Sequence, residues 1–346
     1  MKKLLLATAV SALSLATLQA AHADVTVYGK AHLTVDHIDE DGKDKVLQLN
    51  SNASRLGFKG SEKISEGLDA IYQLEYEVDP DADGTVFKQR DSFLGLKGAF
   101  GTVKAGNIDT PVKQAQNKVD VFNDLVDGGL DMKNTMVGEN RDKNSVHYTT
   151  PKMDGLPVSV TLATSLHENN AKNNKSDNAL YASGAFEQDG VYGAVAYGKD
   201  TKGLKTGPDA NGARKDTTAD IIRVVGQLNL AKMANLPLTL GALYQTAEPS
   251  DSKVSDIDAE NAFLVSAALK VPSMEKLTLK AQYQMATTEY TTKGMADREV
   301  TQYGVGFDYK LSKNVTALGY VANRNVDTGA ADADYMVVGT GLEYKF

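Results

Sequence analysis

The chain has 346 residues, a formal net charge of −8 and neither Cys nor Trp. Without cysteine there are no disulfides, thiolate metal sites or cysteine nucleophiles, and the negative balance disfavours a nucleic-acid partner. The five histidines, His22, His32, His37, His147 and His167, show no HxH or HxxxH spacing, so neither a metal centre nor another cofactor is expected.

The chain begins "MKKLLLATAVSALSLATLQAAHA". Lys2 and Lys3 precede an apolar run from Leu4, and Ala21-His22-Ala23 follows as a small-x-small cleavage site. This is the pattern of a secretory signal peptide over residues 1–23, and the run is too short and too rich in Ser and Thr for a stable transmembrane helix. Removal of the segment, with Lys2 and Lys3, takes the net charge from −8 to −10 and leaves residues 24–346 as one domain.

Beyond residue 23 no apolar run is long enough to cross a bilayer as a helix. The mean hydropathy of −0.32 suits a soluble protein, but a membrane barrel gives the same average because its strands alternate lipid-facing and lumen-facing residues. Period-2 alternation recurs along the chain. In "VTVYGKAHLTVDHI", Val25, Val27, Ala31, Leu33 and Val35 oppose Lys30, His32, Thr34 and Asp36. Val158, Val160 and Leu162 oppose Ser159 and Thr161. Leu277, Leu279, Ala281 and Tyr283 oppose Thr278, Lys280, Gln282 and Gln284. Tyr303, Val305 and Phe307 oppose Gln302, Gly304 and Gly306. About sixteen segments can be read, each long enough for a tilted crossing of about 9–11 residues. They begin near Val25, Val46, Leu68, Val86, Thr102, Arg141, Pro157, Asn178, Val191, Thr218, Leu236, Ala259, Leu277, Glu299, Val315 and Asp334. Short turns alternate with longer polar connections, which sorts the loops by side and favours a membrane barrel over a soluble sandwich. Glu260 then falls in an external loop region. The last segment alternates to its final residue, with Met336, Val338, Leu342, Tyr344 and Phe346 on one face. A final strand that closes a barrel on the first leaves no edge.

The segments "VTVYGKAHL", "SRLGFKGSE" at 54–62, "GLDAIYQLEYE" at 67–77, "RDSFLGLKGAFGTVKAGNIDTP" at 90–111, "RDKNSVHYTTP" at 141–151 and the terminal "GLEYKF" resemble, in this order, the trimeric general-diffusion porins of Gram-negative bacteria, of the Neisseria and Burkholderia kind. The resemblance runs along essentially the whole chain after residue 23. It implies a 16-stranded antiparallel transmembrane β-barrel with an inward-folded third loop. It also implies a homotrimer in the outer membrane, in contact with lipid and lipopolysaccharide, passing small hydrophilic solutes by passive diffusion. The aromatic end, Leu342, Tyr344 and Phe346, is then the signal read by the barrel-assembly machinery. Many relatives carry Arg after "AG" where this chain has Asn107, which removes one positive charge near the expected constriction.

Residues 110–140 form a long connection whose apolar members, Val119, Val121, Phe122, Leu125, Val126, Leu130 and Met132, are unlike disorder. "DVFNDLVDGG" is compatible with a short helix ending at Gly128-Gly129. Inward folding would bury those apolar groups; a surface lid or subunit-contact loop is the alternative. Asp109, Asp120, Asp124 and Asp127 make the loop acidic, and Arg55, Lys104 and Arg141, with Arg90 on a strand that does not alternate cleanly, supply bases on the wall. Opposed charges at a narrow point select ions, with a mild preference for anions expected; the alternative is that each Arg pairs with Glu75 or Glu77 and only braces the wall. Gln48, Asn50, Asn52 and Ser54 share parity with outward Leu56 and Phe58, which places polar groups on the outer face, either for a neighbouring subunit or above the membrane. Ser145 and His147 face the lumen with no GxSxG present, so an enzyme is disfavoured. A substrate-specific channel of the phosphate or dicarboxylate type and a plugged structural barrel remain as alternatives.

Overall fold

The computed structural model describes residues 25–80, 87–125, 129–151, 155–166, 178–205, 214–251 and 256–346. The expected signal segment and Asp127 lie outside the described residues. Seventeen strands form one antiparallel sheet: β1 (Thr26–Glu40), β2 (Val46–Ser51), β3 (Arg55–Ser65), β4 (Leu68–Val78), β5 (Phe87–Gly98), β6 (Gly101–Asp109), β7 (Arg141–Thr149), β8 (Val158–Ser165), β9 (Ala179–Gln188), β10 (Val191–Lys205), β11 (Asp216–Asn229), β12 (Leu238–Pro249), β13 (Ile257–Lys270), β14 (Leu277–Tyr290), β15 (Arg298–Lys310), β16 (Val315–Asp327) and β17 (Asp332–Lys345). Both β2 and β3 pair with β1, one above the other, so they fill one position of the ring. The barrel has sixteen positions and closes where β1 pairs with β17, from Lys30 opposite Lys345 to Glu40 opposite Tyr335.

The pleat sorts the residues as the alternation predicts. On β15, Tyr303 and Val305 are 53% and 59% exposed on the outer face, while Gln302, next to Tyr303, is fully buried inside. Such an outer surface suits hydrocarbon and not water. Among the described residues no helix is long and apolar enough to cross a membrane, so any crossing is made by strands.

The break between β2 and β3 corrects one expectation. Ala53 has φ +50°, and the extra backbone there resets the parity, as a bulge does. Leu47 and Leu49 face outward, whereas Asn50, Asn52 and Ser54 are buried inside. Asn50 donates to Asp36 at 2.6 Å, and the Ser54 hydroxyl accepts the His32 amide that the broken ladder leaves over. These polar groups therefore brace the lumen wall and give no outward interface. A second irregularity lies between β4 and β5, where Leu74 pairs with Ser92 but Tyr76 with Gln89. It explains why the strand of Arg90 does not alternate. The sorting of loops by length is also weaker than expected, because strands on the long-loop side run on into segments that read as loops. Residues 328–331 alone join β16 to β17, while 230–237 on the opposite side carry a helical turn, α2 (Leu230–Met233).

The apolar core lies inside the barrel. Val112, Val119, Met132 and Met136 of the loop after β6 pack on inward Ala163, Ala194, Ala196, Ala219, Leu243 and Leu264. Phe122, Leu125 and Leu130 pack on Leu318, Tyr320, Ala322 and Val337. The third long connection is folded inward, as expected.

Candidate functional site

The loop descends from β6 through a short helix, α1 (Pro111–Ala115). Thr110 caps it by accepting the Lys113 amide, and proline occupies the first turn, where its fixed φ and missing N–H cost nothing. The helix expected near residues 120–129 does not form over 120–125. There Asp120 accepts the Phe122 amide at 3.0 Å, which turns the chain, and Asp124 sits at φ +76°.

Polar residues on the far wall receive the loop's backbone. Ser266 donates to the Val119 carbonyl at 2.6 Å, Gln282 accepts the Val121 amide at 2.9 Å, and Tyr192 donates to the Ala115 carbonyl. Arg223, fully buried on β11, donates to Glu139 at 2.7 Å and to the carbonyls of Val112 and Val137. Burial pushes the Glu139 carboxyl above the usual carboxylate range, against the pull of Arg223. Glu260 belongs to this set: it is buried on β13 and accepts the Val137 amide at 3.0 Å, so it is an internal anchor and not an external loop residue. At Gly304 and Gly306 the wall and loop approach closely. A Cβ on Gly304 would lie 2.3 Å from Leu130, and one on Gly306 would lie 3.0 Å from Phe122.

At the loop's tip the three described acids take different roles. Asp120 is buried, bonded to the amides of Phe122 and Met132 and to Gln282. Burial, with Asp131 beside it, pushes its carboxyl up to about 8 against those donors. It fastens the loop to itself and to the wall and does not border the open space. Asp131 accepts the amides of Asp124 and Lys133, and burial raises it too. Asp124 crosses to the near wall, meeting Lys30 at 2.6 Å and Arg55 at 3.1 Å. Burial alone would raise its carboxyl; the two cations overcome that and hold it down at about 2.

Between the loop and strands β3–β7 lie two adjoining cavities of about 440 and 220 Å³. Arg90, Lys113, Asn123 and Asp124 border both. Arg141 borders the first, Arg55 and Asp109 the second. The bases are paired. Arg90 binds Glu75 at 2.8 Å and Glu77 at 3.2 Å. Arg141 binds Asp91 at 2.8 Å and Asp109 at 2.9 Å, and Lys113 binds Asp109 at 3.2 Å. Lys104 stands apart, nearer the short turns, with its ammonium 4.8 Å from the centre of the Phe93 ring. Asn107 is turned to the Arg90 carbonyl at 2.9 Å. Of the residues singled out in the sequence, Arg55, Arg90, Arg141, Asp109 and Asp124 border these cavities, and Lys104 and Asp120 do not. Sequence reasoning gives no hint of Arg223 or Glu260, since a single charge on a strand does not show that a loop will cover it.

The end of β17 is tied to β1. Gly29 donates to the Phe346 carbonyl at 3.0 Å and accepts its amide at 3.1 Å. The Phe346 ring lies over Gly29, where a Cβ would sit 2.3 Å from it, and the Tyr344 ring is 5.7 Å away. Leu342, Tyr344 and Phe346 are all exposed on the outer face.

This fold has counterparts among known proteins. The chain is 27% identical to the major outer membrane protein P.IB of Neisseria lactamica over the full length of both. Among solved structures, the anion-selective porin from Comamonas acidovorans superposes with a TM-score of 0.70 at 20% identity, covering 94% of this chain and all of that one. The trimer form of in-vitro folded OmpT of Vibrio cholerae gives 0.67 at 19% identity, covering 94% and 99%. A family model described as Gram-negative porin matches residues 7–330. The protein belongs to the Gram-negative porin family, the channel-forming β-barrels of the outer membrane.

Proposed function

We propose that this porin is a general-diffusion channel for small hydrophilic solutes, constricted between the loop tip and the wall of β3–β7, with a mild preference for anions. Arg55, Arg90, Lys113 and Arg141 supply positive charge at the constriction, and Asp109 and Asp124 the negative. Lysines outside that network carry the preference. The network itself is nearly balanced, because Glu75, Glu77 and Asp91 stand behind the arginines. Below it, Lys59 and Lys104 rest on Tyr28 and Phe93, 5.0 and 4.8 Å from the ring centres, with no acid in contact among the described residues. A cation held by a ring keeps its full charge and presents it to a passing solute. The anion selectivity of the Comamonas porin is in keeping with this sign.

The trimer form of OmpT supports a homotrimer here. Export by cleavage after Ala23, recognition of the Phe346 end by the assembly machinery, and contact with lipid and lipopolysaccharide belong to the same proposal. The decisive experiment is the reversal potential of reconstituted channels in a salt gradient. Lys59→Glu with Lys104→Glu should move it towards cations, as should Arg55→Glu with Arg141→Glu. Lys43→Glu is the control, since the Lys43 side chain is 66% exposed at the outer rim and paired with Glu40. Unchanged selectivity in both double variants would reduce these bases to structural braces.

A further inference from the structure

On the outer side of the inserted loop, away from the constriction, the loop and the far wall enclose a cavity of about 350 Å³. That is the low end of the size range of small-molecule sites, roughly 300–1,000 Å³. Lys133, Lys205, Arg214 and Arg298 border it, with Glu139 and Glu260. Both acids are committed elsewhere, Glu139 to Arg223 at 2.7 Å and Glu260 to the Val137 amide at 3.0 Å. Lys205 is paired with Asp216 at 3.0 Å. Arg214 donates to the Lys205 carbonyl and the Tyr290 hydroxyl, each at 3.2 Å.

The remaining two bases differ. Among the described residues, neither the Arg298 guanidinium nor the Lys133 ammonium has a hydrogen bond or an ion pair. Arg298 is half-buried at the start of β15; Arg214 and Arg324 lie close enough to repel it, and Glu260 attracts it. Holding the half-buried Arg298 guanidinium, unpaired among the described residues, beside Arg214 at the cavity wall is unfavourable unless an anion joins it.

We propose that this cavity is a binding subsite for small multivalent oxyanions, of the di- and tricarboxylate or phosphate class. Arg298 grips the oxyanion with its planar fork, Arg214 faces it from the neighbouring element, and Lys133 closes the loop side. Lys133, Glu139 and Asn140 border both this cavity and the constriction; with Glu139 held by Arg223, an anion leaving the subsite passes along Lys133 towards Arg141. The subsite rests on the open lumen proposed above and gives a weakly selective channel a saturable step for one solute class.

The test is chloride current through the reconstituted wild-type channel, with citrate added on the loop side. Citrate should reduce the current saturably, while acetate at equal charge concentration should not. Arg298→Gln should raise the half-blocking citrate concentration at least tenfold, roughly the worth of one charge-assisted contact, with each channel's block read against its own current without citrate. If that variant does not assemble, Arg214→Gln carries the same expectation. A citrate effect that grows without saturating, or a half-blocking concentration unmoved in the variant, overturns the subsite and leaves the general channel standing. No chloride current in the wild type would sink the channel reading on which it rests.

Discussion

Among the described residues 110–140, Asp124 is the carboxylate paired with the near wall, and Asp124→Asn isolates its role. Lys30 and Arg55 hold its carboxyl at about 2 against an ordinary 3.8, which corresponds to roughly 2.5 kcal/mol favouring the docked, charged tip. Its side chain is 17% exposed, so solvent screening removes little of this. The variant also strands Lys30, whose side chain is 4% exposed. Stranding a buried ion costs about 3–5 kcal/mol, but Glu343 at 3.9 Å and the new amide oxygen offset part of it. A net loss of about 2–3 kcal/mol should raise the population with the tip undocked roughly 50-fold. Amide exchange over residues 120–132, read against Val305 in the wall, measures this directly. Because the folded-state value is depressed, the stabilisation is fully present above about pH 4 and is lost as pH falls through about 2. The wild-type tip should therefore loosen over that window, and the variant should already be loose at pH 7. Exchange and current noise equal to wild type at pH 7 would refute the latch.

Asp120 has the opposite sign. Its carboxyl is raised from 3.8 to about 8, so the folded loop favours the proton-bound form, and docking should weaken as pH climbs from about 4 to about 8. Exchange of the Phe122 and Met132 amides, corrected for intrinsic rate, should rise over that range and flatten in Asp120→Asn; a flat wild-type profile would contradict it. Deleting Phe346 removes two backbone bonds to Gly29 and the ring above it. The truncated chain should insert poorly and accumulate in the periplasm, with near-normal conductance in the molecules that do insert, and wild-type membrane levels would show that the ring is dispensable for assembly.

Much of the barrel is legible in the sequence because lipid and water impose opposite demands on alternate residues. β14 and β15 show this best, since Tyr283, Tyr303 and Val305 face hydrocarbon while Gln282, Gln284 and Gln302 face inward. The inner face of β8–β13 is another matter. Ala163, Ala194, Ala196, Ala219 and Ala262 are apolar because the inserted loop covers them, so both faces of these strands read alike and alternation fades where the loop docks. Parity is also lost wherever one residue is added to a strand. Ala53 alone turned Asn50 and Asn52 from expected outward groups into lumen braces, and the irregularity between Gln89 and Ser92 hid the direction of Arg90.

The charges carry a subtler lesson. Counting acids and bases along residues 90–141 suggests a strong transverse field, yet Arg90 and Arg141 each bind two carboxylates, and Asp124 is shared between two cations. A charge already met at 2.8 Å contributes a dipole to the lumen, and a dipole fades with distance much faster than a bare charge. The field felt by a solute therefore comes disproportionately from bases that lack a carboxylate. Among the described residues these include Lys59, Lys104 and Arg324, which rest on Tyr28, Phe93 and Tyr335, and Arg298 and Lys133, which make no such contact. In the sequence these are ordinary lysines and arginines on polar faces, and only the packing distinguishes them from the paired ones. Asn107 fits the same logic. An arginine there would join a crowded and compensated network, so its absence changes selectivity less than the placement of Lys59 and Lys104, in positions where aromatic rings replace acids.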